Sequence, residues 1–106
     1  MIARIWYGWT EPHNADAYES LLKTEIFPGI LARKIAGFLR VELLRAPVGD
    51  EVEFATIMWF GSMAAIEAFG GADHKTAVVP PKARAVLKRF DARSKHYEVK
   101  DARDAN

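Results

Sequence analysis

The period of the hydrophobic positions changes several times along the chain, and each change marks an element. Ile2 to Trp9 is mostly β-branched or aromatic (Ile2, Ile5, Trp6, Tyr7, Trp9), as a strand requires. Apolar residues fall on both alternating faces, so both faces need a cover. Thr10, Pro12 and Asn14 stop the strand and supply helix-start chemistry. From Asp16 to Ile26 the period becomes helical, with Ala17, Leu21 and Leu22 as a stripe and Tyr18 beside it. Phe27-Pro28-Gly29 is expected to interrupt this helix, and a short turn follows through Ile30 and Leu31.

Gly37 introduces a second strand, Phe38 to Arg45, with Leu39, Val41 and Leu43 on one face and Arg40 and Glu42 on the other. Pro47-Val48-Gly49-Asp50 signals a tight turn, which makes Glu51 to Phe60 the second half of a hairpin. Val52, Phe54, Thr56, Met58 and Phe60 take one face of that strand; Ala55, Ile57 and Trp59 take the other. Ser62 is placed to cap a helix through Phe69, with Ala65, Ile66 and Phe69 inward. Gly70-Gly71 ends it. Asp73 to Val79 is short and irregular or helical, and Pro80-Pro81 stops it. Lys82 to Arg89 reads as an amphipathic helix with Ala85, Val86 and Phe90 inward, and Arg93 to Val99 as the last strand. Residues 1–100 are expected to form one domain, and 101–106 a polar tail.

The order β-α-β-β-α-β predicts an α+β fold of the ferredoxin-like type, an antiparallel sheet with helices on one face. Trp6, Trp9, Phe54, Trp59 and Phe60 are more than two helices can hide, and a large exposed apolar patch is unusual in a monomer. A homodimer packed through its sheet faces is therefore expected.

Composition works mainly by exclusion. Fifteen basic and 14 acidic residues leave a net charge of +1, which points to neither nucleic acid nor membrane as a partner. The basic residues between Lys82 and Lys95 are interrupted by apolar and acidic ones and read as a solvated face. With no cysteine there is no disulfide, thiolate nucleophile or Cys-based zinc site, and a cytoplasmic setting fits. Met1 to Trp9 lacks signal-peptide organisation. No His-x-x-x-His or Glu-x-x-His spacing occurs, so no metal is expected. Ser62 lacks a nucleophile elbow, and Gly70-Gly71 lacks phosphate-loop context.

A few residues could carry chemistry. His74, after a Gly-rich bend, is either a proton-transfer group or a surface histidine at a helix start capped by Asp73. Arg4 sits within an apolar strand on the face of Ile2 and Trp6. It requires either a ligand anion or an ion pair with Glu53 or Glu98. Trp6 and Trp59 either line a flat aromatic pocket or pack the core, and Tyr18 either bonds a ligand or points to water. His96 alternates with Tyr97 on the last strand, and His13 lies in a polar loop.

Met1-Ile2-Ala3-Arg4-Ile5-Trp6 and the run Ile57-Met58-Trp59-Phe60-Gly61-Ser62 leading into Ala65-Ile66-Glu67-Ala68-Phe69 resemble the antibiotic-biosynthesis-monooxygenase-like family. So do Ala77 to Arg84 and His96-Tyr97-Glu98-Val99. The resemblance implies a dimeric α-β barrel. It also implies a cofactor-independent monooxygenase acting on a small aromatic or quinol-type compound, with no cofactor required. Trp6, Trp59 and Phe69 would wall the pocket and Tyr18 would join them, with His74 as base and Arg4 holding the substrate anion. The haem-degrading branch is not matched. Trp6 and Tyr7 stand near the place of its Asn, Phe69 replaces its Trp, and Val78 or Val79 falls where its His is expected. The alternative is a non-catalytic ligand-binding or structural homodimer. An enzyme should show a cavity of roughly a few hundred Å³ reached by His74 or Arg4. A structural dimer should fill that space with Phe69, Met63 and Leu21.

Overall fold

A computed structural model describes residues 1–106. Its sheet is organised around strand β1 (Ile2–Thr10), which pairs antiparallel with β3 (Glu51–Phe60) from Ile2 opposite Phe60 to Thr10 opposite Val52. Strand β2 (Phe38–Val48) lies outside β3. On the other side of β1 lie two short strands, β4 (Arg89–Phe90) beside Gly8 and Trp9 and β5 (Lys95–Glu98) beside Ile2 to Ile5. The order β2-β3-β1-β4/β5 is the ferredoxin-like one.

The last strand, expected as one piece, is split. Between its halves the chain turns out to meet the segment that follows Gly70-Gly71: Ser94 N donates to Lys75 O and Arg93 bridges Thr76. The hairpin runs three residues further than expected, through Pro47, which an edge strand tolerates. Gly49, first in its two-residue turn, has φ +61°, a conformation that favours glycine. A bulge at Leu39 corrects the expected alternation of β2. The register passes from Phe38–Phe60 to Arg40–Trp59, so Leu39 is 56% exposed, while Phe38, Val41 and Leu43 pack against the core.

Helix α1 (Ala15–Leu21) does not end at Phe27-Pro28-Gly29. It continues through a π-turn (Leu22–Ile26) into α2 (Phe27–Ala32). Pro28 lacks an N–H, and its ring would meet the Thr24 carbonyl in a regular turn. The wider turn, in which Phe27 N donates to Leu22 O, accommodates it. Ser62 caps α3 (Met63–Gly70), its Oγ accepting from Ala65 N at 3.2 Å. Helix α4 (Pro81–Val86) begins on Pro81 rather than after it and is shorter than expected, so Phe90 falls in β4.

The helices cover one sheet face. Tyr18, Leu22, Phe54 and Ala83 are centred in one buried cluster, and Met58, Phe60, Ala65 and Ile66 form a second. Ala17 and Ala85, expected inward, are exposed; Ala15 and Ala83 take their place. The uncovered face carries Ile5, Tyr7 and Trp9 of β1 with Ala55, Ile57 and Trp59 of β3, flanked by the exposed Leu44 and Tyr97. The tail beyond Lys100 is exposed and irregular. No helix is long and apolar enough to cross a membrane.

Candidate functional site

Strand parity decides what faces the helices. Arg4 lies opposite Met58 and Trp6 opposite Thr56, so both point to the covered side, into the gap between the two buried clusters. The helical rod contributes Tyr18, Leu22, Ile26, Phe27 and Ile30, α3 contributes Phe69, and Ala77 to Pro80 close the remaining side. The cavity so enclosed measures about 70 Å³, and its lining is apolar apart from Arg4, Tyr18 and Thr56. It is smaller than the roughly few hundred Å³ expected of a drug-sized ligand site, and suits about one aromatic ring.

Arg4 is 6% exposed. It has no carboxylate partner. Glu53 lies on the opposite sheet face, where it accepts from Trp9 Nε1 at 3.1 Å, and Glu98 pairs with Lys100 at 2.6 Å. Arg4 Nη2 reaches only the His74 carbonyl oxygen, at 3.4 Å, and its Nε has no partner. Its guanidinium carbon stands 5.0 Å from the centre of the Phe69 ring. Burial pushes its pKa down to about 10, so the group remains charged at neutral pH.

Trp6 is held in place. Its Nε1 donates to Asp91 O at 2.6 Å and its ring leans on Phe90, 5.9 Å between centres. Gly8 permits this: a Cβ there would come within 3.3 Å of the Trp6 ring and 3.1 Å of Leu87. Tyr18 packs edge-on against Phe54 at 4.8 Å, and burial raises its pKa to about 12, so it is a neutral phenol. Phe69 also borders the cavity, whereas Met63 is exposed and Leu21 packs into the neighbouring cluster; neither fills the space.

Two expected members lie elsewhere. Trp59 projects from the opposite sheet face, its Nε1 donating to Glu42 Oε1 at 2.7 Å, because β3 residues of its parity face away from the helices. His74 does not line the cavity. Its ring stacks on His96, 5.4 Å between centres and 15° from parallel, behind Arg4. His96 stands directly across from Arg4 in the β1–β5 ladder. His74 Nδ1 and both His96 ring nitrogens are buried without partners. Burial, then the positive charge of Arg4, lowers the His96 pKa and keeps its ring neutral. His96, expected on the last strand in alternation with Tyr97 and as a residue of the dimer contact, instead shares the covered face with Arg4, while Tyr97 takes the other. No group of three or more metal-type side chains is brought together.

No protein-family model matches the sequence, and no curated protein matches it closely enough to count as a relative. Solved structures do match it. A Bacillus cereus protein assigned as an antibiotic-biosynthesis monooxygenase aligns over 100% of this chain and 97% of its own, with a TM-score of 0.72 and 16% identity. The fold is that of the antibiotic-biosynthesis monooxygenases. A variant of SnoaB, a cofactor-independent oxygenase from Streptomyces nogalater, aligns over 95% of this chain and 94% of its own, with TM-score 0.61 and 18% identity. A Streptomyces coelicolor monooxygenase in complex with nanaomycin D aligns over 99% and 91%, with TM-score 0.60 and 15% identity. At such identities the likeness to the monooxygenases extends to the fold and leaves the chemistry to be argued from the site.

Proposed function

We propose that the protein is a cofactor-independent, monooxygenase-like homodimer that binds a small aromatic or quinol-type compound as its anion in the Arg4 cleft. The observation that carries this reading is a charged guanidinium, almost wholly buried in an apolar cavity with no carboxylate to neutralise it. A buried unpaired charge is costly, and a ligand anion repays that cost. The shared fold with SnoaB and with the nanaomycin D-bound monooxygenase supports oxygen chemistry.

In this reading a phenolic O–H of the substrate gives its proton to the stacked His74–His96 pair, by way of a water, and the phenolate oxygen settles on Arg4. A ring carbon of the electron-rich anion then bonds to O₂. The resulting hydroperoxide breaks its O–O bond, leaving one oxygen as a carbonyl and releasing the other as water. A quinol plus one O₂ thus gives a hydroxyquinone plus one water, and the substrate itself is the reductant. Trp6, Phe69 and Tyr18 sandwich and orient the ring; Trp59 has no part in the site and belongs to the dimer face. The uncovered band of Ile5, Tyr7, Ile57 and Trp59 supports sheet-to-sheet pairing with a second copy. A chain with no disulfide to form suits the cytoplasm.

The test is oxygen uptake with one-ring quinols under ¹⁸O₂, with products read by mass spectrometry. One labelled oxygen per product is expected, with Arg4→Met slowing turnover roughly a hundredfold. Equal rates in the wild type and the variant would contradict the reading. The narrow cavity favours one further reading, a binder of small aromatic anions without turnover, which saturable binding with no oxygen uptake would establish.

A further inference from the structure

Five of the six buried side-chain polar atoms that lack any partner belong to four residues, Arg4, His74, Ser94 and His96. Buried polar atoms are nearly always paired, so their concentration in one place has a cause. On the far side of this group from the apolar cleft, at the free edge of β5, lies a second, broad cleft lined by Lys75, Arg93, Ser94, Lys95, His96 and Tyr97. Its character is the opposite of the first: three cations, two hydroxyls and an imidazole, with no carboxylate in the wall. One acid stands beside it: Asp73 lies 4.0 Å from Arg93 and accepts from Thr76 Oγ1 at 2.6 Å, while Lys75 and Lys95 have no carboxylate partner.

Ser94 is the structural key. It is 4% exposed, is fixed by its N–H to Lys75 O at 2.7 Å, and forms part of the cleft wall while its Oγ finds no protein partner. A rotation about χ1 brings such a hydroxyl to the cleft without disturbing the backbone. His96 follows on the same side of the strand, its two ring nitrogens buried behind the cleft wall without partners. The donors come from two segments that are not adjacent in sequence, the turn after α3 and the entry to β5, tied together by the Ser94–Lys75 bond and the Thr76–Arg93 bridge.

We propose that the β5-edge cleft is a binding site for a tetrahedral oxyanion, the phosphate group of a small molecule or inorganic phosphate. Three cations in one wall with no carboxylate among them suit a dianion better than a single carboxylate, and Arg93 offers the forked donor geometry that phosphate takes. The cleft is distinct from the apolar one but shares His96 with the proton-accepting pair, and its occupancy is read by phosphate binding alone, without turnover.

The experiment is titration of the full-length protein with inorganic phosphate, methyl phosphate and acetate at constant ionic strength, following the imidazole resonances of all three histidines by NMR. Saturable shifts of His96 and His74 with both phosphates, none of His13, and at least tenfold weaker binding of acetate are expected. Arg93→Gln should weaken phosphate binding about tenfold and Ser94→Ala severalfold, with Arg4 intact throughout. A preference for methyl phosphate identifies an esterified ligand; equal affinity identifies the free ion. Absence of a saturable shift, equal response to acetate, or binding untouched by both substitutions would overturn the proposal.

Discussion

The two faces of the sheet treat their charged groups in opposite ways. On the uncovered face each indole is matched: Trp9 donates to Glu53 beneath the Arg89 guanidinium, 3.8 Å from the ring centre, and Trp59 donates to Glu42, which also meets Arg40 at 3.3 Å. On the covered face, one strand residue away from such pairing, Arg4 is left with a long bond to a carbonyl. Surface ion pairs are cheap and weak. A charge placed in the interior without a partner is expensive, and its persistence points to use rather than to stability. In the proposed reading the matched face meets a second copy of the chain and the unmatched one takes a ligand.

The comparison breaks most visibly in the core of the covered face. Phe60 is completely buried between Phe38 and Phe69, so Phe60→Ala should cost about 3–5 kcal/mol, measured by chemical denaturation. On the other face Ile57→Asp should convert the proposed dimer to monomer in sedimentation while leaving the subunit folded, because the introduced charge meets water in the free subunit and apolar surface in the dimer. A monomeric wild type would remove the dimer from the account.

Tyr18 tests the cleft wall through pH. Its folded pKa of about 12 lies above the ordinary 10, so the neutral phenol is the form the fold favours. The stabilisation is complete below about pH 10 and is lost as pH rises through 12, by about 2–3 kcal/mol. Tyr18→Phe should lack that loss, so the difference in stability between the two proteins must change across this window. The smallest effect belongs to the matched face: Glu42→Ala removes the acceptor of Trp59 Nε1 and should cost about 0.5–1.5 kcal/mol by the same denaturation measurement.

Much of this was legible in the sequence because strand parity is a rigid rule. The inward set Val52, Phe54, Met58 and Phe60 follows from alternation alone; Trp59, expected in the pocket wall against that same alternation, lies on the other face. Alternation also removes Glu53 as a partner for Arg4. Local irregularity was not legible. The bulge at Leu39 inserts one residue into a pattern that reads cleanly without it, and the π-turn before Pro28 lets a helix pass a residue that normally stops one. The His74–His96 stack joins residues far apart in sequence through a split final strand, and no local pattern encodes such a contact. Glu98, the other acid expected to pair with Arg4, goes instead to Lys100.

The central claim is that Arg4 holds an anion in an apolar cleft. Titration of benzoate into the wild type and Arg4→Met, followed through the Trp6 indole N–H resonance, tests it most directly. The account predicts saturable shifts in the wild type, at least tenfold weaker binding in the variant, and a variant fold as stable as the original or more so. Benzoate binding of equal strength in the two proteins, or a variant that unfolds for want of the guanidinium, would contradict it.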